Sequence, residues 1–247
     1  MIDKYDYFLI DVDRTLWDFD KNSKNAIDKL IDRHKEIYSK VSTLGVNYHE
    51  IFFQKYDVVN HKLWNEYEDK IITKDILRWK RFYDAFLLFD IDNKELAIQF
   101  GDEYLLQMIQ EHELIEGSER LLQMLKAKNK KMAVVSNGFK EVQYKKLSNS
   151  NLIDFFQEII ISEEVGHHKP SPEIFNIALE RLCGISQTTE PAKWKEIKEK
   201  SLMIGDDFQN DILGAKNANI DQCYLNLKNK NQEEKATYEV FSLLDIN

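Results

Sequence analysis

Between Trp17 and Phe100 the chain carries one glycine, Gly45, and no proline, whereas all three of its prolines, Pro170, Pro172 and Pro191, lie late. Glycine and proline are the residues that most strongly interrupt a helix, so a stretch this long without them reads as helices. Within it Ala26, Ile27, Leu30, Ile31, His34 and Ile37 keep helical spacing, as do Leu77, Phe82, Phe86 and Phe89, and then Leu96, Phe100, Tyr104 and Met108. Three or four amphipathic helices packed as a bundle are expected. On either side the texture changes. Tyr7 to Ile10 is a short apolar run, and from about Leu114 short β-rich runs alternate with helical segments: Lys131 to Ser136, Glu158 to Ser162, Ser201 to Gly205 and Asp221 to Leu225. Such alternation signals a parallel sheet flanked by helices, and the first run belongs by texture with the later ones. An α/β fold is therefore expected, with residues 1–16 and 113–247 forming the sheet core and residues 17–112 an inserted helical domain. Gly184 to Lys200 reads as a long connection and the polar stretch Asn226 to Lys235 as a solvated loop.

At 247 residues the chain is long enough for a sizeable core plus a second module. Its formal charge of −9 repels polyanions, and no basic stripe is long enough to follow a nucleic-acid backbone. No nucleic-acid polymer is expected as a partner, and any phosphate the protein binds must be neutralised locally. Two cysteines, Cys183 and Cys223, cannot build a disulfide framework and suit a reducing cytoplasm. Met1 lies close to the first strand, leaving no room for a signal peptide, and no apolar run approaches membrane-spanning length. A cytoplasmic protein without a membrane partner is expected.

Ligands of an open parallel sheet bind beyond the carboxyl ends of the strands, and four such ends carry reactive groups. The first is Asp11-Val12-Asp13-Arg14-Thr15, where Asp11 and Asp13 share one face of an extended backbone. Carboxylates that close repel and desolvate badly, so they persist where a cation, a shared proton or a charged substrate compensates them. The second, Ser136-Asn137-Gly138, puts a hydroxyl and an amide on a tight turn whose backbone N–H groups suit phosphate oxygens. In the third, Lys169 of His167-His168-Lys169-Pro170 precedes Ser171-Pro172, an N-cap and first-turn proline. The fourth is Gly205-Asp206-Asp207, with Asp211 about one turn further on; clustered acids of this kind suit a hard cation with oxygen ligands. Singly, each motif has a plainer reading: a polar turn, a solvated lysine, or, for Asp207 and Asp211, a capped helix start. His167 and His168 diverge as neighbours and lack a third nitrogen or thiolate ligand, so a transition-metal site is not expected.

Taken in order, the four motifs resemble the four signature motifs of the haloacid dehalogenase-like hydrolase superfamily, whose members are mostly phosphatases. The inserted helices look like that superfamily's α-helical cap, so the resemblance spans nearly the whole chain and implies a Rossmann-like core with an inserted cap domain. More narrowly, Thr15 to Ser23, Ser136 to Gln143, and Ser162 to Gly166 with Lys169-Pro170 resemble the YjjG-type 5′-nucleotidases, which hydrolyse pyrimidine nucleoside monophosphates, noncanonical ones included. Arg14 fills a variable position. The resemblance implies a Mg²⁺-dependent phosphatase acting on a small-molecule phosphate ester through an aspartyl-phosphate. In it Asp11 is the nucleophile, and Asp13 gives a proton to the leaving alkoxide and takes one back from water. Mg²⁺ is held by Asp11, Asp206 and the backbone carbonyl of Asp13, while Ser136, Asn137 and Lys169 bind the substrate phosphate. Asp211 stands behind them, orienting a metal-bound water or Lys169. Trp17 and Phe19 either stack a base or pack the hinge. A sugar-phosphate phosphatase or phosphosugar mutase would keep the same core residues and differ in the cap. A phospho-acceptor signalling module also uses Asp, Thr and Lys around Mg²⁺, but leaves the cap unexplained; a true dehalogenase would give Asp13 no task. A monomer or small homo-oligomer is expected.

Overall fold

Phe8, Leu9 and Ile10 are completely buried because the strand they form, β1 (Tyr7–Ile10), lies in the middle of a sheet covered on both faces. A computed structural model describes all 247 residues. Its other strands are β2 (Lys131–Ser136), β3 (Glu158–Ile161), β4 (Ser201–Gly205), β5 (Asp221–Leu225) and β6 (Tyr238–Val240). All pairs are parallel, in the order β3-β2-β1-β4-β5-β6. Ile10 stands opposite Val134 on one side and Ile204 on the other, so β2 runs two residues and β4 one residue past the end of β1. Winding reverses at β1, the place where an open parallel sheet leaves a crevice beyond its carboxyl ends.

The chain divides into two compact units, Met1–Phe19 with His112–Asn247, and Asp20–Glu111. Trp17 stays with the sheet unit because it bridges both Asp13 and Leu114. The Asp18 N–H also donates to the Glu113 carbonyl at 3.0 Å, tying the two crossings side by side.

The helical unit contains α1, which starts at Phe19 in the other unit and runs to Arg33, α2 (Lys35–Val41), α3 (Tyr48–Glu68), α4 (Lys74–Leu87) and α5 (Lys94–Met108). That is five helices where spacing suggested three or four. The series Ala26 to Ile37 is broken at His34, whose ψ of 96° is extended backbone, so it forms two helices rather than one. Side chains cap α4 and α5: Thr73 accepts from the Ile76 N–H, and Asn93 from the Leu96 N–H at 3.0 Å. Aromatic rings fill the interior, with Tyr56 stacked on Phe82 at 5.1 Å and Phe82 against Phe100 at 5.0 Å.

The sheet unit carries α6 (Ser118–Ala127), α7 (Lys140–Asn149), α8 (Ser162–Val165), α9 (Pro172–Cys183), α10 (Pro191–Glu199) and α11 (Gly214–Asn217). Ile174, Phe175, Ala178 and Leu179 of α9 pack with Leu9, Val135 and Met203 of the sheet. The segment read as a long connection is mostly α10, which adds buried Trp194 and Ile197 to this core. Ser162 begins α8 instead of ending β3. No helix is long and apolar enough to cross a membrane.

Candidate active site

Asp11 emerges where β1 ends, and its N–H still donates to the Ile204 carbonyl at 3.0 Å, so the pairing with β4 fixes the direction of its side chain. Lys169, from the loop before α9, donates through Nζ to Asp11 Oδ1 at 2.7 Å and to Asp211 Oδ1 at 2.6 Å. All three residues are buried. The loop is clamped by Asn137 at the end of β2: its Nδ2 donates to the Lys169 carbonyl at 3.0 Å and its Oδ1 accepts the Lys169 N–H at 2.8 Å. A cis peptide joins Lys169 to Pro170. Ser136 is buried beside Asn137, its Oγ accepting the Gly138 N–H at 3.1 Å.

At the end of β4, Gly205 gives Asp211 its place. A Cβ on residue 205 would collide with Asp211 Oδ2 and stand 2.6 Å from its Cβ. Asp211 Oδ2 accepts the Asp207 N–H at 3.1 Å. Asp207 itself follows the plainer reading, a cap: its Oδ1 accepts the N–H groups of Gln209 and Asn210, both at 2.9 Å, opening the π-helical turn Phe208–Leu213. Thr15 Oγ1 reaches Asp206 Oδ1 at 3.4 Å.

Carboxylate oxygens of Asp11, Asp206 and Asp211 lie within 4.8 Å of one another. Burial raises the pKa of Asp11 even though Lys169 opposes it. Burial and then the charge of Asp11 push Asp206 up to about 7, and burial lifts Asp211 well above the ordinary carboxylate value. Burial works against the Lys169 ammonium too, but the facing Asp11 and Asp211 outweigh it and hold the pKa above that of a free lysine. Three carboxylates face the Lys169 ammonium, and the Arg14 guanidinium also acts on Asp206, which still leaves a surplus of negative charge.

The Asp13 side chain is held by α7. Its Oδ1 accepts from Lys146 Nζ and its Oδ2 from Gln143 Nε2, each at 2.6 Å. Burial lowers the pKa of Lys146, with Asp13 opposing the shift. Trp17 and Phe19 are buried, with the Lys146 ammonium 4.2 Å from one ring centroid and 5.4 Å from the other, so their rings serve packing inside the sheet unit. Arg14 adopts φ 65°, the left-handed region that residues other than glycine seldom enter, and lays its guanidinium 4.5 Å from the Phe19 ring centroid.

The structure therefore gathers Asp11, Lys169, Asp206 and Asp211, sets Ser136 and Asn137 at the end of β2, and hands Asp13 to α7. Gln143 and Lys146 escaped the sequence reading. A lysine on a helix ordinarily reads as solvated, and only its three-residue spacing from Gln143 hints at a shared face.

The model of the haloacid dehalogenase-like hydrolases matches residues 5–219. Pyrimidine 5′-nucleotidase YjjG of Escherichia coli is 29% identical, covering 98% of this chain and 96% of the relative. Pyrimidine 5′-nucleotidase PynA of Streptococcus pneumoniae is 30% identical, covering 98% of this chain and 93% of the relative. Among solved structures, the magnesium-bound HAD-hydrolase YfnB of Bacillus subtilis has a TM-score of 0.79 at 28% identity, covering 97% of this chain and 96% of that one.

Proposed function

The chain belongs to the haloacid dehalogenase-like hydrolases, and from that premise we propose that it is a Mg²⁺-dependent phosphatase that hydrolyses pyrimidine nucleoside monophosphates, noncanonical ones included, through a phosphoryl group carried on Asp11. The observation that carries this reading is the meeting of Asp11 with Lys169 at 2.7 Å beside Asp206 and Asp211. A hard divalent cation fits the residues present. The donors are carboxylate oxygens, those of Asp11 and Asp211 buried and that of Asp206 half-buried, and together they hold more negative charge than Lys169 neutralises. Asp11, Asp206 and the backbone carbonyl of Asp13 would hold Mg²⁺, which would screen the repulsion between an attacking carboxylate and a phosphate dianion. Asp211, bonded to Lys169 and the Asp207 N–H, keeps the ammonium aimed at Asp11.

Phosphomonoester hydrolysis needs up to ~10²¹-fold acceleration, beyond what one group supplies, so the residues divide the work. Asp11 attacks phosphorus in line, forming its O–P bond as the ester P–O bond breaks. Asp13 gives its proton to the departing alkoxide, then accepts one from the water that cleaves the aspartyl-phosphate, freeing inorganic phosphate and Asp11. Lys169 and Ser136 stabilise the charge on the transferring oxygens, and Asn137 contributes by fixing the Lys169 backbone.

The test is Mg²⁺-dependent phosphate release from a panel of nucleoside monophosphates and sugar phosphates, run beside Asp11→Asn. Pyrimidine nucleoside monophosphates are expected to lead and the variant to be nearly inert. Substantial activity in Asp11→Asn overturns the nucleophile, whereas a preference for sugar phosphates overturns the nucleotidase reading alone.

A further inference from the structure

Gln143 and Lys146 lie one turn apart on α7, so both project from one face of a helix that starts just after the Ser136-Asn137-Gly138 end of β2. Between them they take both oxygens of Asp13, each at 2.6 Å. Lys146 is 2% exposed, and a lysine that deep requires a partner. Besides Asp13, its ammonium faces the rings of Trp17 and Phe19. Those rings belong to the segment that follows Asp13 directly, so the cation is gripped by the same loop it restrains. Gly138 completes the arrangement: a Cβ there would fall on Gln143 Nε2, with Cδ and Cγ of Gln143 at 2.8 and 2.9 Å. The absent side chain is what lets Gln143 pass to Asp13. A carboxylate offers about four lone-pair sites; the bracket uses two and leaves one on each oxygen for a reacting partner.

We propose that Lys146 and Gln143 are positioning residues that hold the Asp13 carboxylate in the orientation from which it exchanges a proton with the leaving oxygen and then with water. The proposal rests on the reading of Asp13 as that acid and base. Neither side chain needs to touch substrate. Without the bracket Asp13 remains present but turns about its own bonds, and a misplacement of ~1 Å costs on the order of 10²-fold in rate.

Leaving-group dependence separates this role from a structural one. An alkoxide leaving from uridine 5′-monophosphate needs a proton, whereas p-nitrophenolate leaves without one. The full-length enzyme with Mg²⁺ is assayed on both substrates as wild type, Lys146→Met, Gly138→Ala and Asp13→Asn, with circular dichroism reporting folding. We expect the ratio of kcat/KM for the nucleotide to that for p-nitrophenyl phosphate to fall on the order of 10²-fold in Lys146→Met and Gly138→Ala, and at least as far in Asp13→Asn. Should Lys146→Met fail to fold, Gly138→Ala decides alone, since the atoms nearest its methyl are Nε2, Cδ and Cγ of the flexible Gln143 side chain. An unchanged ratio in the folded bracket variants, beside a lowered one in Asp13→Asn, overturns the inference and leaves the acid–base reading standing. An unchanged ratio in Asp13→Asn overturns that reading and the inference with it.

Discussion

Lys169→Met removes the ammonium that faces Asp11 and Asp211 while keeping most of the stem. Two buried carboxylates then lose donors at 2.7 and 2.6 Å. Removing one partner of a buried ion pair costs about 3–5 kcal/mol, and here the lost partner serves two carboxylates, which recover part of the cost by taking up protons. For a chain of this size each kcal/mol moves the unfolding midpoint by about 2–4 °C, so the metal-free variant should melt roughly 10 °C below wild type at pH 8. The pH dependence has a definite sign. Burial already raises the pKa values of Asp11 and Asp211 in the folded protein, and loss of Lys169 raises them further. The folded state then holds protons that the unfolded chain gives up, so stability is gained as pH falls and lost as it rises. In wild type the raised Lys169 value means that its own contribution persists across this range and fades only as pH climbs through that value. The deficit of the variant is therefore largest at pH 8 and narrows toward pH 5.5. Thermal unfolding followed by circular dichroism in EDTA at both pH values measures it. Adding Asp211→Asn to Lys169→Met removes one stranded charge and should restore part of the loss. A variant as stable as wild type at pH 8, or equally weakened at both pH values, would refute the assignment of these three side chains to one charge cluster.

Two further outcomes follow from the same geometry. Because Asp206 is pushed up to about 7, it must shed a proton before it can bind a cation. Apparent Mg²⁺ affinity, measured by calorimetry on wild type, should fall about tenfold per pH unit below that point and level off above it; affinity independent of pH down to 5.5 would count against Asp206 as a ligand. Gly205→Ala drives a methyl into Asp211, whose oxygens are pinned by Lys169 and the Asp207 N–H, and should cost about 1–3 kcal/mol in urea unfolding together with most of the activity. Wild-type stability in that variant would mean Asp211 has room to move.

β1 to β5 were legible as short β-rich runs, and a central parallel strand such as β1 needs no more specific signal than an apolar run bounded by polar residues. β6 was not, since three residues carry no usable period and Tyr238–Val240 is a strand only through its pairing with β5. The break at His34 escaped because no glycine or proline marks it; His34 instead bonds Glu103 and packs on Phe100, both of α5, contacts that no sequence pattern shows. Pro191 stands at the first turn of α10, yet the segment read as a connection because the charged run Lys193 to Lys200 hid the two apolar positions, Trp194 and Ile197, that dock it. Among the reactive groups, those at strand ends were visible as motifs because the sheet's geometry concentrates chemistry there. Lys146 lay beyond reach for the opposite reason: its role comes from contacts with Asp13, Trp17 and Phe19, more than a hundred residues away in sequence.

On the proposed mechanism phosphate passes through a covalent bond to Asp11. Asp13→Asn, given Mg²⁺ and p-nitrophenyl phosphate, should load that bond readily and break it slowly, because its leaving group needs no acid but the attacking water needs a base. Acid quenching followed by peptide mass spectrometry should then find one phosphoryl group on the peptide containing Asp11, absent when Asp11 is also replaced by Asn. A phosphoryl group on another residue, or turnover with none on the protein at any time, would contradict the account.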